Sequence, residues 1–228
     1  MILKRIYEVI SIIKKSKYKA YLVGGSSRDF IFSREFTDVD IATNAPLEFL
    51  KTTFKVCNDG GASLGSIKID YKNVIMEITR FRKERYDDDS TFPKIEKYLN
   101  DEEEDAIRRD FTINAIYLDI TNNHVVDPFN GIKDLFEFKV KFINDPTIRI
   151  KEDPSRILRG IRLAYKMNFS IEEKTNEAFI NNVSELNRLS KKRFNKEITK
   201  MEEELGIEKT NKILKMYNIV RRDEDEHK

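Results

Sequence analysis

Asp38 and Asp40 are separated by a single valine. On a strand that spacing puts both carboxylates on one face, roughly 7 Å apart at Cα. Two hard oxygen donors so placed can share Mg²⁺ ions, and two such ions about 4 Å apart clamp the attacking and leaving oxygens of an in-line displacement. An Asp-x-Asp alone more often marks the solvated end of a strand. The odds shift because Gly24-Gly25 lies upstream. Paired glycines let backbone N–H groups approach a phosphate, with a helix N-terminus behind them. Glu77, within Ile75-Met76-Glu77-Ile78, is a candidate third metal carboxylate from a neighbouring strand.

Two further clusters could recognise a nucleotide. Arg109 and Asp110 stand where a loop re-enters a strand. Arginine offers a fork of donors for phosphate or ribose oxygens, and aspartate can accept from a ribose hydroxyl. Alone they read equally as an ion pair at a surface turn. Glu152-Asp153-Pro154-Ser155-Arg156 reads as a helix start, with acids at the cap and proline in the first turn. Asp153, Arg156 and Arg159 fall three apart and share a face. Cytosine and adenine both present an exocyclic amine beside a bare ring nitrogen. A carboxylate accepting from the amine and a guanidinium donating to the nitrogen would accept C and A and reject G and U. By spacing alone, an ordinary i, i+3 ion pair explains Asp153 and Arg156 as well.

The elements that must position these residues are legible in outline. Ile2, Ile6, Val9, Ile10 and Ile13 recur at helical spacing. Ala20–Val23 is a short apolar run stopped by glycines, a buried strand, and Ser26 or Ser27 could cap the helix after it. Strands are expected over 37–42, 66–70 and 73–81, the last two joined at Tyr71-Lys72, and a helix over 46–54. The charge-dense stretch 82–105, with Asp87-Asp88-Asp89 and Pro93, shows no sustained period. It is expected to be a mobile excursion ending in a short acidic helix near 101–106. Residues 113–120 return to strand character, and Asp127-Pro128-Phe129-Asn130-Gly131 signals a turn. From Pro146 onward the pattern is helical, with Gly206 as a break. The boundary is expected at Asn144-Asp145-Pro146.

The 228 residues allow one compact domain and a smaller one. Lys and Arg total 42 against 40 Asp and Glu, a balance that neither demands nor excludes nucleic acid, since local patches decide. A single cysteine, Cys57, cannot form an internal disulfide, which points to the cytoplasm. There is no apolar run of about 18 residues to span a membrane.

Taken together, Leu22 to Asp29, Asp38-Val39-Asp40, Arg108 to Ala115, Asp127 to Leu135 and Glu152 to Leu163 resemble, in order, the motifs of class II tRNA nucleotidyltransferases, the family of CCA-adding enzymes and bacterial poly(A) polymerases. The resemblance spans about residues 20–165. It implies an α+β fold: a polymerase-β-like nucleotidyltransferase head (1–145) with a mixed five-stranded sheet, an all-helical neck (146–220) and a disordered tail (221–228). It also implies catalysis by Asp38 and Asp40 with bound Mg²⁺. Triphosphate contacts fall to Gly24, Gly25, Ser26 and Arg28, sugar contacts to Arg109 and Asp110, and base selection to Asp153 and Arg156. Asn114, Arg159 and Arg162 join them as nucleotide-binding candidates, and Lys191, Lys192 and Arg193 as RNA contacts. The implied partners are ATP, CTP and an RNA 3′ end, tRNA first. A poly(A)-type or partial CC- or A-adding enzyme, and a non-catalytic nucleotide-binding module, are the alternatives. The chain departs from the family pattern at Ser27, where valine is usual, and at Thr91-Phe92-Pro93, which replaces an Arg-Arg-Pro-like element. It also ends soon after the neck, where the family continues into body and tail domains.

Overall fold

The structure, a computed structural model, describes residues 2–36, 38–87 and 90–222. Thr37, Asp88, Asp89 and the expected tail beyond Arg222 lie outside the described residues. The chain forms two compact units, one from Met1–Arg85 with Lys94–Leu135, the other from Tyr86–Pro93 with Phe136–Lys228. Packing therefore divides at Leu135–Phe136, earlier than the Asn144–Pro146 boundary expected from composition.

The first unit opens with α1 (Ile2–Lys15), whose Ile6, Val9, Ile10 and Ile13 are fully buried. Then follow β1 (Ala20–Leu22), α2 (Gly24–Ile31), β2 (Asp40–Thr43), α3 (Leu47–Thr53), β3 (Val56–Asn58), β4 (Ser66–Tyr71) and β5 (Val74–Arg80). Next are β6 (Arg82–Arg85), β7 (Lys94–Tyr98), α4 (Glu102–Ala106), β8 (Tyr117–Asp119), β9 (His124–Val126) and α5 (Gly131–Phe136). The main sheet runs β3-β4-β5-β2-β1-β8-β9, with β2 and β5 parallel and the other neighbours antiparallel. It is mixed, as expected, but has seven strands rather than five. The edge strands β3 and β9 are three residues each, too short to print an alternation. Lys72 and Asn73 both adopt left-handed backbone conformations, as a tight turn between β4 and β5 with the right twist requires. Cys57, on β3, is exposed and donates to the Lys68 carbonyl at 3.4 Å.

The stretch 82–105 departs most from expectation. Instead of an irregular excursion it forms the β6–β7 ribbon followed by α4. Strand alternation is present but written in charge: Arg82 and Glu84 turn inward while Lys83 and Arg85 are exposed. A search for alternating apolar residues passes over it. Asp101 caps α4, accepting from the Glu103 and Glu104 N–H groups.

The second unit adds β10 (Lys139–Val140), α6 (Pro146–Glu152), α7 (Ser155–Met167), β11 (Ser170–Ile171), α8 (Glu173–Asn181), α9 (Lys191–Leu205) and α10 (Ile207–Met216). It is not all-helical, because β10 and β11 form a short parallel pair. Its core joins Ile157, Leu158 and Ile161 of α7 to Phe194, Ile198 and Met201 of α9, helices that pack together. Gly206, at φ +84°, separates α9 from α10, as its position suggested. Among the described residues no helix is long and apolar enough to cross a membrane.

Candidate active site

In the first unit the site grows from the junction of β1, α2 and β2. The chain leaves β1 and enters α2 at once at Gly24, whose φ of +62° would strain any residue with a side chain. A Cβ there would touch Asp40 Oδ2 at 3.4 Å, so the carboxylate lies against this turn. The helix start lies before both serines. Val23 occupies the cap position without a side-chain bond, so neither Ser26 nor Ser27 caps α2. Ser27 Oγ turns back to the Gly24 carbonyl at 3.0 Å. Ser26, fully buried, donates to the Asp38 carbonyl at 3.1 Å and accepts from the Asp40 N–H at 2.7 Å. The Ser26 hydroxyl therefore fastens the two-aspartate segment to α2, and the phosphate contact expected of it is not available to that side chain.

Asp38 is exposed just ahead of β2, and Asp40 is the first residue of that strand. Parallel pairing sets Asp40 beside Glu77 of β5. Burial pushes the Asp40 carboxyl up to about 6, with Glu77 and then Asp38 adding to the shift, while Arg109 and Arg28 oppose it. Glu77 itself accepts from Ser66 Oγ at 2.6 Å and pairs with Lys68 at 3.6 Å. Its two oxygens thus also reach across the β4–β5 pair. Among the described residues no group of three or more acidic, histidine or cysteine side chains forms a metal-binding cluster. Asp38 and Asp40 remain the residues that could hold a divalent cation. Asp40, raised first by burial and then by its acidic neighbours, is a carboxylate whose charge such an ion would stabilise.

Arg28 of α2 donates to Asn114 Oδ1, and Asn114 Nδ2 donates to Asp110 Oδ1 at 2.8 Å. That oxygen also accepts from the Phe111 N–H at 2.8 Å. Three of the expected nucleotide ligands are therefore linked as one chain. Arg109 is bound into a buried corner behind the turn. It donates to Tyr117 Oη at 2.7 Å and to Asp105 Oδ2 at 3.3 Å. Asp105 was not singled out from the sequence, yet it is fully buried and is the hub of this corner. It accepts from Arg108 Nε at 2.8 Å, from the Arg82 N–H at 2.9 Å and from Tyr117 Oη at 2.6 Å. Burial alone would raise its carboxyl, but Arg108 and Arg109 outweigh that and hold it at about 2. The signal was present: Asp105 stands three and four residues before the two arginines, the spacing of helical ion pairs. Behind this corner a Cβ on Gly131 would lie 2.2 Å from the Thr112 carbonyl oxygen, and Thr112 Oγ1 donates to Asp134 Oδ2 at 2.7 Å.

In the second unit Asp153 lies between α6 and α7. Its Oδ1 accepts from the Ser155 N–H at 3.0 Å, from Ser155 Oγ at 2.7 Å and from Arg193 at 2.9 Å. Arg156 donates to the Arg149 carbonyl and to Glu152, both at 2.7 Å, and its NH2 group reaches Tyr86 Oη at 3.2 Å. Both side chains are buried. Arg159, one turn on, is half-buried on α7. Two candidates are redirected. Arg162 pairs with Glu197 at 3.6 Å and Glu204 at 2.9 Å, bracing α7 against α9 rather than reaching for a nucleotide. Arg193 donates to the Thr91 carbonyl at 2.9 Å and stacks on the Phe92 ring, so its guanidinium is committed within the unit instead of offered to RNA. Lys192 is exposed and Lys191 half-buried in the first turn of α9.

This sheet order, with an aspartate pair at the start of β2, is the frame of a nucleotidyltransferase-type head. The family model described as the Poly A polymerase head domain matches residues 20–141, and the chain belongs to that family. It is 36% identical over 193 residues to the CCA-adding enzyme of Lactobacillus helveticus and 38% identical over 193 residues to that of Enterococcus faecalis. These alignments cover 85% of this chain but 48% and 47% of the two enzymes. The crystal structure of the Bacillus stearothermophilus CCA-adding enzyme in complex with CTP matches with a TM-score of 0.83 and 28% identity, covering 95% of this chain and 52% of that one. A CCA-adding enzyme in complex with ATP matches with a TM-score of 0.75 and 25% identity, covering 95% of this chain and 50% of that one. The chain thus spans about half the length of the curated relatives it matches.

Proposed function

We propose that the chain adds C and A residues to the 3′ end of an RNA, tRNA first, from CTP and ATP with release of pyrophosphate. The observation that carries this reading is the aspartate pair set against Gly24, with Glu77 in register beside Asp40 and Arg28 and Arg109 within electrostatic reach. That arrangement supplies oxygen donors, a route for a phosphate to the backbone and cations for a triphosphate. Asp38 and Asp40 would hold Mg²⁺, in keeping with their donor chemistry and their surplus of negative charge. Magnesium bound there supplies Lewis acidity to the 3′-hydroxyl and charge neutralisation at the α-phosphate, in the manner of two-metal nucleotidyl transfer. The backbone at Gly24 and Gly25 would bind the phosphates, helped by Arg28. Asn114 and Asp110 would orient the sugar, with Arg109 held in place by Asp105. In the first unit lies the chemistry and in the second the choice of base, where Asp153 and Arg156 would accept the amine and fill the ring nitrogen of C or A. Lys191 and Lys192 would meet RNA phosphates. The lone, exposed cysteine accords with a cytoplasmic setting.

The test is incorporation of labelled CTP and ATP, separately and together with Mg²⁺, onto tRNAs ending before CCA, after C and after CC. Ordered addition stopping at CCA supports the full reading. A single nucleotide type, or a lengthening A tail, narrows it to a partial-adding or poly(A) enzyme. Binding of CTP without transfer under all conditions would sink it.

A further inference from the structure

The Ser26 hydroxyl has the geometry of a missing strand partner. An extended chain turns the carbonyl of one residue and the N–H of the residue two on toward the same edge. At the start of β2 those two groups belong to Asp38 and Asp40. Val39, between them, turns its carbonyl to the opposite edge, where it accepts from the Glu77 N–H of β5 at 2.8 Å. On the first edge β1 supplies one last bond, from the Val23 N–H to the Asp40 carbonyl at 3.1 Å, before the chain turns into α2. The backbone ladder has run out there, two groups short of Asp38. Ser26 Oγ completes it, accepting from the Asp40 N–H at 2.7 Å and donating to the Asp38 carbonyl at 3.1 Å. A fully buried side chain thus stands in for a neighbouring strand.

We infer that Ser26 is a positioning residue for the aspartate pair. By holding 38–40 extended it keeps both carboxylates on one face and so sets the spacing that two cations need. The inference rests on the reading of Asp38 and Asp40 as magnesium ligands proposed above. Of the two, Asp40 belongs to β2, whereas Asp38 is exposed and lies ahead of the strand. Asp38 is therefore the ligand that depends on the hydroxyl. Losing Ser26 removes no ligand. It frees the Asp38 backbone to turn its carboxylate away, and the cost falls on cation affinity rather than on the contacts of the nucleotide itself.

The test compares the full chain with its Ser26→Ala, Thr43→Val and Asp40→Asn variants. Mn²⁺ alone is the probe, and free Mn²⁺ is read by electron paramagnetic resonance. Ser26→Ala should weaken Mn²⁺ binding by about tenfold, the usual effect of removing a partner that orients a metal ligand. In CTP incorporation the half-saturating Mg²⁺ concentration should rise by a similar factor. Most of the rate should return at saturating Mg²⁺, with the CTP KM there unchanged. Thr43→Val is the stability control. It removes another fully buried hydroxyl, at the far end of β2, which donates to the Lys19 carbonyl at 2.5 Å and accepts from the Ala45 N–H at 3.0 Å. It should lower the melting temperature as Ser26→Ala does, yet leave Mn²⁺ affinity alone. If Ser26→Ala binds Mn²⁺ as the unaltered chain does, while Asp40→Asn does not, the positioning role is overturned and the metal reading stands. An equal loss of Mn²⁺ affinity in Thr43→Val would reduce the Ser26 effect to stability and overturn the role as well. If Asp40→Asn binds Mn²⁺ as tightly as the unaltered chain, or the unaltered chain binds none, the metal reading falls and the role of Ser26 with it.

Discussion

Asp40 carries its charge under strain, and two consequences follow at the scale of the single residue. Its carboxyl is raised to about 6 by burial and by Glu77 and Asp38. An unfolded aspartate titrates near 3.9, so the folded chain holds an extra proton between roughly pH 4 and 6. Stability due to this group is present below that window and is lost as pH rises through it, by up to about 3 kcal/mol. Asp40→Asn should therefore abolish nucleotide transfer yet raise the melting temperature at pH 7 to 8 by several degrees, with the gain vanishing near pH 4. Thermal scans across pH check this, and no gain at neutral pH would refute the electrostatic account. Asp105 is the opposite case. Held at about 2, it adds stability above pH 4 that is lost as pH falls toward 2. Asp105→Asn should cost about 3 kcal/mol in urea unfolding at pH 7, because it leaves Arg108 and Arg109 buried without their shared carboxylate.

Among the elements, the tightest constraint is the start of α5. Gly131→Ala would drive a methyl group into the Thr112 carbonyl, 2.2 Å away. The clash should destabilise the first unit by about 3 kcal/mol and, by moving the 112–114 turn, disturb Asn114 and its chain to Arg28. Denaturant midpoints and CTP binding would both fall. Elements whose burial repeats with a regular period were legible: the apolar stripe of α1, the run of β1 and the helices after Pro146. Those whose period is carried by charge, β6 and β7, or that lie exposed at the sheet edges and bury little, β3 and β9, were not. The candidate residues of the aspartate site were named by type and order, but their linkages were not. Nothing in the linear chain says that Asp40 stands opposite Glu77, that Ser26 spends its hydroxyl on the backbone, or that Arg193 is consumed by Thr91 and Asp153. Those depend on register and on which helix packs where. Asp105 is the exception, since its spacing from Arg108 and Arg109 was open to reading.

Across the whole molecule, opposite charges nearly cancel, 42 against 40, yet they are sorted locally. RNA affinity should accordingly fall about tenfold to a hundredfold between low and physiological salt, despite the small net charge. A salt-independent affinity would contradict phosphate contacts of any kind. One more feature of the first unit has a practical bearing. Its lone thiol, Cys57, stands exposed on the outermost strand of the sheet, two strands from the one that carries Glu77. A maleimide dye or spin label can therefore be attached at one defined point without engineering away any other cysteine. The unaltered chain is ready for single-molecule and magnetic-resonance experiments that follow the seven-stranded sheet as CTP or an RNA is added.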